Sequence, residues 1–378
     1  MKKNKYYIVT LGCQMNISDS QRIATKLEKL GYKSAPEKDA DLVVVNACSV
    51  RQHAVDRIWG GIKKWRSAGK VILISGCVLP ADQKKFEARG LQFFNIKNLE
   101  NLKNILRQSS NIQLNNIISS RNKIKDYFDI KQKLSGKIAY IPIMTGCDNF
   151  CSYCAVPYTR GREVSRPLAD ILVEVKEALN KGYEEVWLLG QNANSYRNKK
   201  LKAKCLKKVE NKDFIKLLET VDSLKGDFKF NFMSSNPHDM GPDLIECFAG
   251  LKKWTRELHL PLQSGDDVIL KKMNRKYTVK KYLQLVSNLK LKIKNLKLST
   301  DVIVGFPTET KTQFENTLKV CKKVGFWKVF IGQYSPRPGT VSAKMVDDVP
   351  TTEKKRRWQE LDNLINKSGA RSNRAPSD

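Results

Sequence analysis

IAYIPIMTGCDNFCSYC, residues 138–154, runs from an apolar, β-branched segment straight into three cysteines, Cys147, Cys151 and Cys154, spaced C-x3-C-x2-C. The apolar part reads as a short strand buried on both faces. The cysteines then lie on the loop that leaves it. A closed zinc site takes four protein ligands and a redox pair takes two, so a row of three needs its own explanation. Three thiolates on a short loop can hold three irons of a four-iron cluster and leave the fourth without a protein ligand. An open metal position is where a small molecule binds, as in catalytic zinc sites. Zinc is the rival metal; it would need a fourth ligand or a water, and His53, His238 and His259 are all distant from the row in sequence.

The pattern of a strand followed by a loop and a helix continues downstream. Strand-like segments EVWLLGQN, KFNFMSSNP, ELHLPLQSG, KLSTDVIVGF and KVFIGQYSPRPGT follow, most of them separated by helical stretches such as LADILVEVKEALNKGY and TQFENTLKVCKKVGF. Six such units predict a partial (β/α)6 barrel with its active site at the carboxyl ends of the strands. Gln191, Asn192, Ser234, Gln263, Ser264 and Asp301 fall at or near those ends. After Pro350, TTEKKRRWQELDNLINK reads as one amphipathic helix and SGARSNRAPSD as a disordered tail.

Upstream, three apolar runs, YYIVTLGC, DLVVVNAC and VILISGC, end at Cys13, Cys48 and Cys77 and alternate with helical segments. Such alternation predicts an α/β, Rossmann-like parallel sheet, which binds ligands beyond the carboxyl ends of its strands. A single buried cysteine is an ordinary core residue. Three in one structural slot, two of them directly after Gly12 and Gly76, predict a second three-cysteine site. The expected organisation is an N-terminal domain over 1–120, a linker over 121–134 with the polar stretch before it, a barrel over 135–345, and a helix and tail over 346–378. One more strand fits within 101–134.

Composition narrows the class. Lys and Arg number 69 against 38 Asp and Glu, a net charge of +31, which points to a polyanion, nucleic acid first. The charge is clustered in RNKKLKAKCLKKVENK (197–212), KKMNRKYTVKKY (271–282) and KKRRW (354–358), although a base-biased genome also yields Lys- and Asn-rich chains. Nine cysteines, an odd number without dense spacing, fit a reducing cytoplasm with thiols kept for metal. No run approaches the ~20 apolar residues of a membrane span. Cys247 and Cys321 read as helix core, and Cys205 as exposed in a basic loop.

The row, Tyr153 within it and its place after the first barrel strand resemble the radical S-adenosylmethionine superfamily. The wider set TGCDNFCSYCAVPYTRGREVSRP, LLGQN, LHLPLQSGDDVILKKMNRKYT, STDVIVGFPTET and PRPGT, with LGCQMNISDSQ, NACSVR and SGC upstream, resembles its methylthiotransferase family from about residue 6 to residue 360. That resemblance implies a 4Fe-4S cluster on Cys147, Cys151 and Cys154 whose open iron binds S-adenosylmethionine and cleaves it to a 5′-deoxyadenosyl radical. It also implies an auxiliary 4Fe-4S cluster on Cys13, Cys48 and Cys77 that donates sulfur. Tyr153, Gln191, Asn192, Ser234, Gln263, Ser264 and Asp301 become expected contacts of S-adenosylmethionine, Gly305 a close backbone approach to it, and Arg160, Arg162 and Arg166 expected grips on RNA.

LGCQMN and TRGRE are most like the branch that methylthiolates dimethylallyladenosine in the anticodon arm of tRNA. Sister branches act on threonylcarbamoyladenosine in tRNA or on a ribosomal-protein aspartate. A reading from another class is a non-catalytic iron-sulfur RNA-binding protein. Implied partners are tRNA, an electron donor such as flavodoxin or ferredoxin, and sulfur-delivery proteins. The family usually carries a small all-β RNA-binding domain after the barrel; the 28 residues beyond Pro350 are not expected to form it, and the basic clusters are expected to bind RNA in its place.

Overall fold

The computed structural model describes residues 4–50, 52–109, 127–128, 130, 136–198 and 211–367. Most of the expected linker, Cys205 with the basic run around it, and the carboxyl-terminal tail lie outside the described residues.

Five strands, β1 (Lys5–Thr10), β2 (Lys33–Ser34), β3 (Leu42–Cys48), β4 (Val71–Cys77) and β5 (Gln92–Phe93), form a wholly parallel sheet in the order β2-β1-β3-β4-β5. The apolar run of β3 is buried at every position. Its alternation explains why: Leu42 and Val44 enter one core, and Val43, Val45 and Ala47 enter another on the opposite face. Helices α1 (Gln14–Lys29), α2 (Gln52–Ser67), α3 (Pro80–Glu87) and α4 (Leu102–Ser109) connect or follow the strands. This strand order is the flavodoxin-like variant of the doubly wound sheet. Its switch point, where ligands bind, lies between β1 and β3.

The second sheet system begins with β6 (Ile138–Pro142), then a small antiparallel pair, β7 (Met144–Thr145) and β8 (Val164–Ser165), flanking the cysteine loop and a short helix, α5 (Val156–Thr159). Then come α6 (Leu168–Asn180), β9 (Glu185–Leu189), α7 (Lys212–Asp222), β10 (Lys229–Met233), α8 (Pro242–Gly250), β11 (Glu257–His259), α9 (Asp267–Lys272), α10 (Val279–Lys292), β12 (Lys297–Val304), α11 (Lys311–Val324) and β13 (Lys328–Gln333). The six long strands pair in parallel as β6-β9-β10 and β11-β12-β13. Among the described residues the two sheets are joined at the bridge of Phe230 to Trp254, and β6 and β13 do not pair, so the barrel is partial. Its core packs the helices onto one face of the strands, with Phe232, Phe248 and Trp254 stacked at the junction of the sheets.

The closing helix α12 (Thr351–Leu361) continues as a π turn over Asp362–Lys367. Its basic run KKRRW is only half solvated, with Lys355 and Arg356 exposed. Lys354 and Arg357 are buried; Arg357 pairs with Glu309 at 2.8 Å, and Arg356 pairs with Glu353 and Glu360 on its own helix. Lys354, paired with Asp347, and Arg357, paired with Glu309, dock the helix on the barrel.

The two sheet systems are pinned together through α1. Arg22, fully buried, donates to Glu174 of α6 at 3.0 Å, and Arg166 reaches the same carboxylate at 2.5 Å. Arg22 also donates to the backbone carbonyl of Ile130.

Candidate active site at two cysteine triads

Cys48 and Cys77 end neighbouring strands in direct register. Cys13 caps the amino end of α1, one strand over. Gly12, at φ +123°, makes room for this: a Cβ there would lie 3.1 Å from the Cβ of Cys48 and 2.9 Å from Asn16 Oδ1. The thiols of Cys13 and Cys77 both donate toward Asn16 Oδ1, at 3.6 and 3.9 Å. The Asn16 amide is held by Asn46 Oδ1 and the Ala47 carbonyl, at 3.2 and 3.1 Å. The thiols of Cys13 and Cys77 therefore share one buried amide at the switch point of the sheet, and Cys48 ends the strand between theirs.

The second triad is the C-x3-C-x2-C loop. Gly146 N–H donates to Gln191 Oε1 at 2.6 Å, which ties the start of the loop to the end of β9. Asn149 donates to Cys147 Sγ at 3.5 Å and Arg275 to Cys151 Sγ at 3.4 Å. Phe150 takes a left-handed backbone, φ +47°, held by the amide of Asn274 on its carbonyl.

Electrostatics fit these thiols to a cationic group. Burial pushes the Cys77 thiol up to about 12; Arg160 pulls it back, while Cys48 and Cys13 push it further up. Burial also raises Cys154 to about 12, with Cys151 adding to the shift, and Cys147 to about 11. Thiols gathered in a dry site oppose one another's ionisation, and a bound metal centre reverses that balance. Among the described residues no three His, Cys, Asp or Glu side chains could hold a single metal ion. A four-iron cluster makes a different demand, with its thiolates spread around a body of four irons.

Of eleven buried side-chain polar atoms without a protein partner among the described residues, five lie on the cysteine loop or at strand ends of the barrel: Thr145 Oγ1, Ser152 Oγ, Asn192 Oδ1, Ser235 Oγ and Gln263 Oε1. Buried polar groups are normally paired, so these five atoms suit a polar small molecule.

The remaining expected residues divide. Asn192 keeps its oxygen free while its amide donates to Asp239 at 2.7 Å. Ser234 and Gln263 both hold left-handed backbones, at φ +69° and +66°. Asp301 pairs with His259 at 3.1 Å and keeps an exposed carboxylate edge. Ser264 is buried and accepts from Asp266 N–H at 3.3 Å, the turn before α9. Tyr153 packs with Ile269, Met273, Phe306 and Tyr334. Gly305 differs from expectation: at φ +68°, the space of its missing side chain is filled by Lys354, whose Cγ would lie 2.3 Å from a Cβ.

The arginines differ too. Arg160 and Arg166 do not face solvent: each side chain is 4 % exposed, Arg160 against Asp19 at 2.7 Å and Arg166 against Glu174. Guanidiniums that find buried carboxylates are withdrawn from the surface. Arg162 alone is exposed, at 71 %, pairing with Asp148 and lying over the Phe150 ring. Residues that the sequence left unmarked complete the site. Arg275 came from a run read as a phosphate-facing cluster, and Asn16 and Asp19 belong to α1, where the polar run MNISDSQR is largely buried beside Cys13. Such a polar buried face was the signal available.

Residues 141–321 match the Radical SAM superfamily and residues 5–94 match a family described as uncharacterized protein family UPF0004. A tRNA-2-methylthio-N(6)-dimethylallyladenosine synthase of Carboxydothermus hydrogenoformans is 40% identical over 381 residues, covering 97% of this chain and 84% of the relative. The like-named protein of Clostridium botulinum (strain Hall) is 39% identical over 385 residues, covering 98% and 83%. Among solved structures, the radical S-adenosylmethionine methyltransferase TsrM from Kitasatospora setae aligns with a TM-score of 0.62 at 12% identity, over 90% of this chain and 77% of that one. The cobalamin-dependent radical enzyme OxsB aligns at 0.58 and 11% identity, over 97% and 56%. At such identities the structures speak to fold alone. The relatives, matched along almost the whole chain, speak to family: this chain is an enzyme of the radical S-adenosylmethionine superfamily and belongs to its methylthiotransferase family.

Proposed function

We propose that the chain converts N6-dimethylallyladenosine beside the anticodon of tRNA to its 2-methylthio derivative, with Cys147, Cys151 and Cys154 holding the 4Fe-4S cluster that binds S-adenosylmethionine and Cys13, Cys48 and Cys77 holding an auxiliary one. The observation that carries this reading is a link between the two cysteine-bearing regions: the segment that bears Cys147, Cys151 and Cys154 continues to Arg160, whose Nε lies 2.9 Å from Cys77 Sγ. Two open sites on one boundary suit a reaction that needs a radical and a sulfur donor at one carbon. The choice of tRNA and of the dimethylallyl group is supported by what the relatives are named for.

The target explains the demand. An adenine C2 hydrogen is neither acidic nor replaceable by a side-chain nucleophile. Bound at these triads, the clusters and S-adenosylmethionine supply one-electron cleavage of the sulfonium and a transferable sulfur, chemistry that no side chain offers. The chain's own part is to orient and enclose. The free oxygens of Asn192 and Gln263 and the hydroxyls of Thr145, Ser152 and Ser235 are available to the ribose and amino acid ends of S-adenosylmethionine. Gln191 spends its carbonyl on Gly146 and so positions the cluster loop.

Arg162, with Phe150 beneath it and Tyr158 exposed nearby, offers a cation and aromatic faces to an unpaired RNA base. A flavodoxin or ferredoxin supplies electrons and a separate protein restores sulfur. The test is anaerobic reconstitution with iron and sulfide, addition of reductant, S-adenosylmethionine and tRNA carrying dimethylallyladenosine, and mass spectrometry of the digested nucleosides. A methylthio nucleoside is expected. Release of 5′-deoxyadenosine without it would overturn the substrate, and release of neither would overturn the radical assignment.

A further inference from the structure

Arg160 was expected at the RNA, yet its side chain points into the amino-terminal domain. Nε lies 2.9 Å from Cys77 Sγ and Nη2 lies 2.7 Å from Asp19 Oδ2. The other oxygen of Asp19 accepts from Tyr127 Oη at 2.5 Å, and the carbonyl of Arg160 accepts from Lys97 Nζ. Asp19 is fully buried. The fork is thus fixed: one arm is spent on the carboxylate, which leaves Nε aimed at sulfur. A guanidinium stays charged at every working pH, and in a site this dry its field on a neighbour is far stronger than in water.

We propose that Arg160 is a positioning residue that sets the reduction potential of the auxiliary cluster, through a charged hydrogen bond from the barrel loop to the Cys77 sulfur; this rests on the assignment of Cys13, Cys48 and Cys77 as cluster ligands. Reduction adds negative charge to the cluster and its sulfurs, so a cationic donor on a ligand sulfur favours the reduced form and raises the potential. Asp19 opposes it with a charge of the other sign. A loop that carries one triad thereby tunes the other.

The bland alternative is that Arg160 and Asp19 are only an interdomain strut, and the two readings separate by sign. In reconstituted full-length protein, titrated with dithionite and followed by electron paramagnetic resonance, the component lost in Cys77→Ala identifies the auxiliary cluster. Arg160→Gln is expected to lower its midpoint enough to change the reduced fraction at fixed potential at least tenfold, about 59 mV for a one-electron couple. Asp19→Asn is expected to raise it, and Arg160→Lys, which keeps the charge but not the fork, to fall between wild type and Arg160→Gln. The component lost in Cys147→Ala stays in place throughout. Shifts of the same sign in Arg160→Gln and Asp19→Asn, or an unmoved midpoint at full iron content, would overturn the proposal. Should Arg160→Gln fail to hold the cluster, the opposite displacements of Arg160→Lys and Asp19→Asn decide. If wild type shows no component that depends on Cys77, the ligand assignment itself fails, a result distinct from an Arg160 that does nothing.

Discussion

Glu174 is the carboxylate on which the amino-terminal domain and the barrel lean. It lies on α6 of the barrel and accepts from Arg22, fully buried on α1, and from Arg166, 4 % exposed, at 3.0 and 2.5 Å. Glu174→Ala leaves two guanidiniums in a dry interface without their counter-charge. Breaking one partner of a buried pair costs about 3–5 kcal/mol; Glu174 is itself 12 % exposed, which lets water reach part of the site, so the lower end, about 3 kcal/mol, is expected. With a urea slope of about 3 kcal/mol/M, the unfolding midpoint falls by about 1 M. Glu174→Gln, which keeps an acceptor but no charge, is expected to lose about half as much. The assay is urea unfolding followed by tryptophan fluorescence, with Lys137→Ala as control, because the Lys137–Glu184 pair is mostly exposed and such pairs contribute about 0–1 kcal/mol. A midpoint for Glu174→Ala within about 0.2 M of that control would refute the pinning argument.

Gly305→Ala is expected to lower Tm by about 4 °C, since a Cβ at φ +68° meets the Lys354 chain, a cost of about 2 kcal/mol in strain and displaced packing; an unchanged Tm would contradict the role given to that close approach. Glu163, raised from the ordinary 4.5 to about 7 chiefly by burial, with Asp148 and Asp239 adding to it, is protonated in the folded chain over a range where the unfolded chain has lost the proton. The stability that its neutral form contributes is therefore full below pH 4.5 and lost as pH rises through about 7, on the order of 2 kcal/mol. Stability measured from pH 5 to pH 8 should fall in wild type and stay flatter in Glu163→Gln, and parallel curves would contradict this.

What the sequence disclosed and what it hid follow from distance along the chain. β3 was legible because a parallel strand covered on both faces must be apolar throughout, and the repeat of a cysteine at three strand ends marked Cys13, Cys48 and Cys77 as neighbours. The row 147–154 announced itself by local spacing. Arg160 was misplaced because a guanidinium in a basic stretch reads alike whether it meets phosphate or a buried carboxylate, and its partner Asp19 lies 141 residues away. Gly305 and Lys354 show the same blindness: the glycine was visible, while the lysine that fills its space stood in a run that looked like surface charge. The strand order, with its switch point at Cys13 and Cys48, also came only from pairing, since parallel neighbours leave no mark in sequence spacing.

The most direct measurement is iron and sulfide content after anaerobic reconstitution of wild type, of Cys13→Ala/Cys48→Ala/Cys77→Ala and of Cys147→Ala/Cys151→Ala/Cys154→Ala. Two four-iron clusters give about eight irons per chain in wild type and about four in each triple variant. About four irons in wild type, or a triple variant that keeps all of its iron, would contradict the two-triad account.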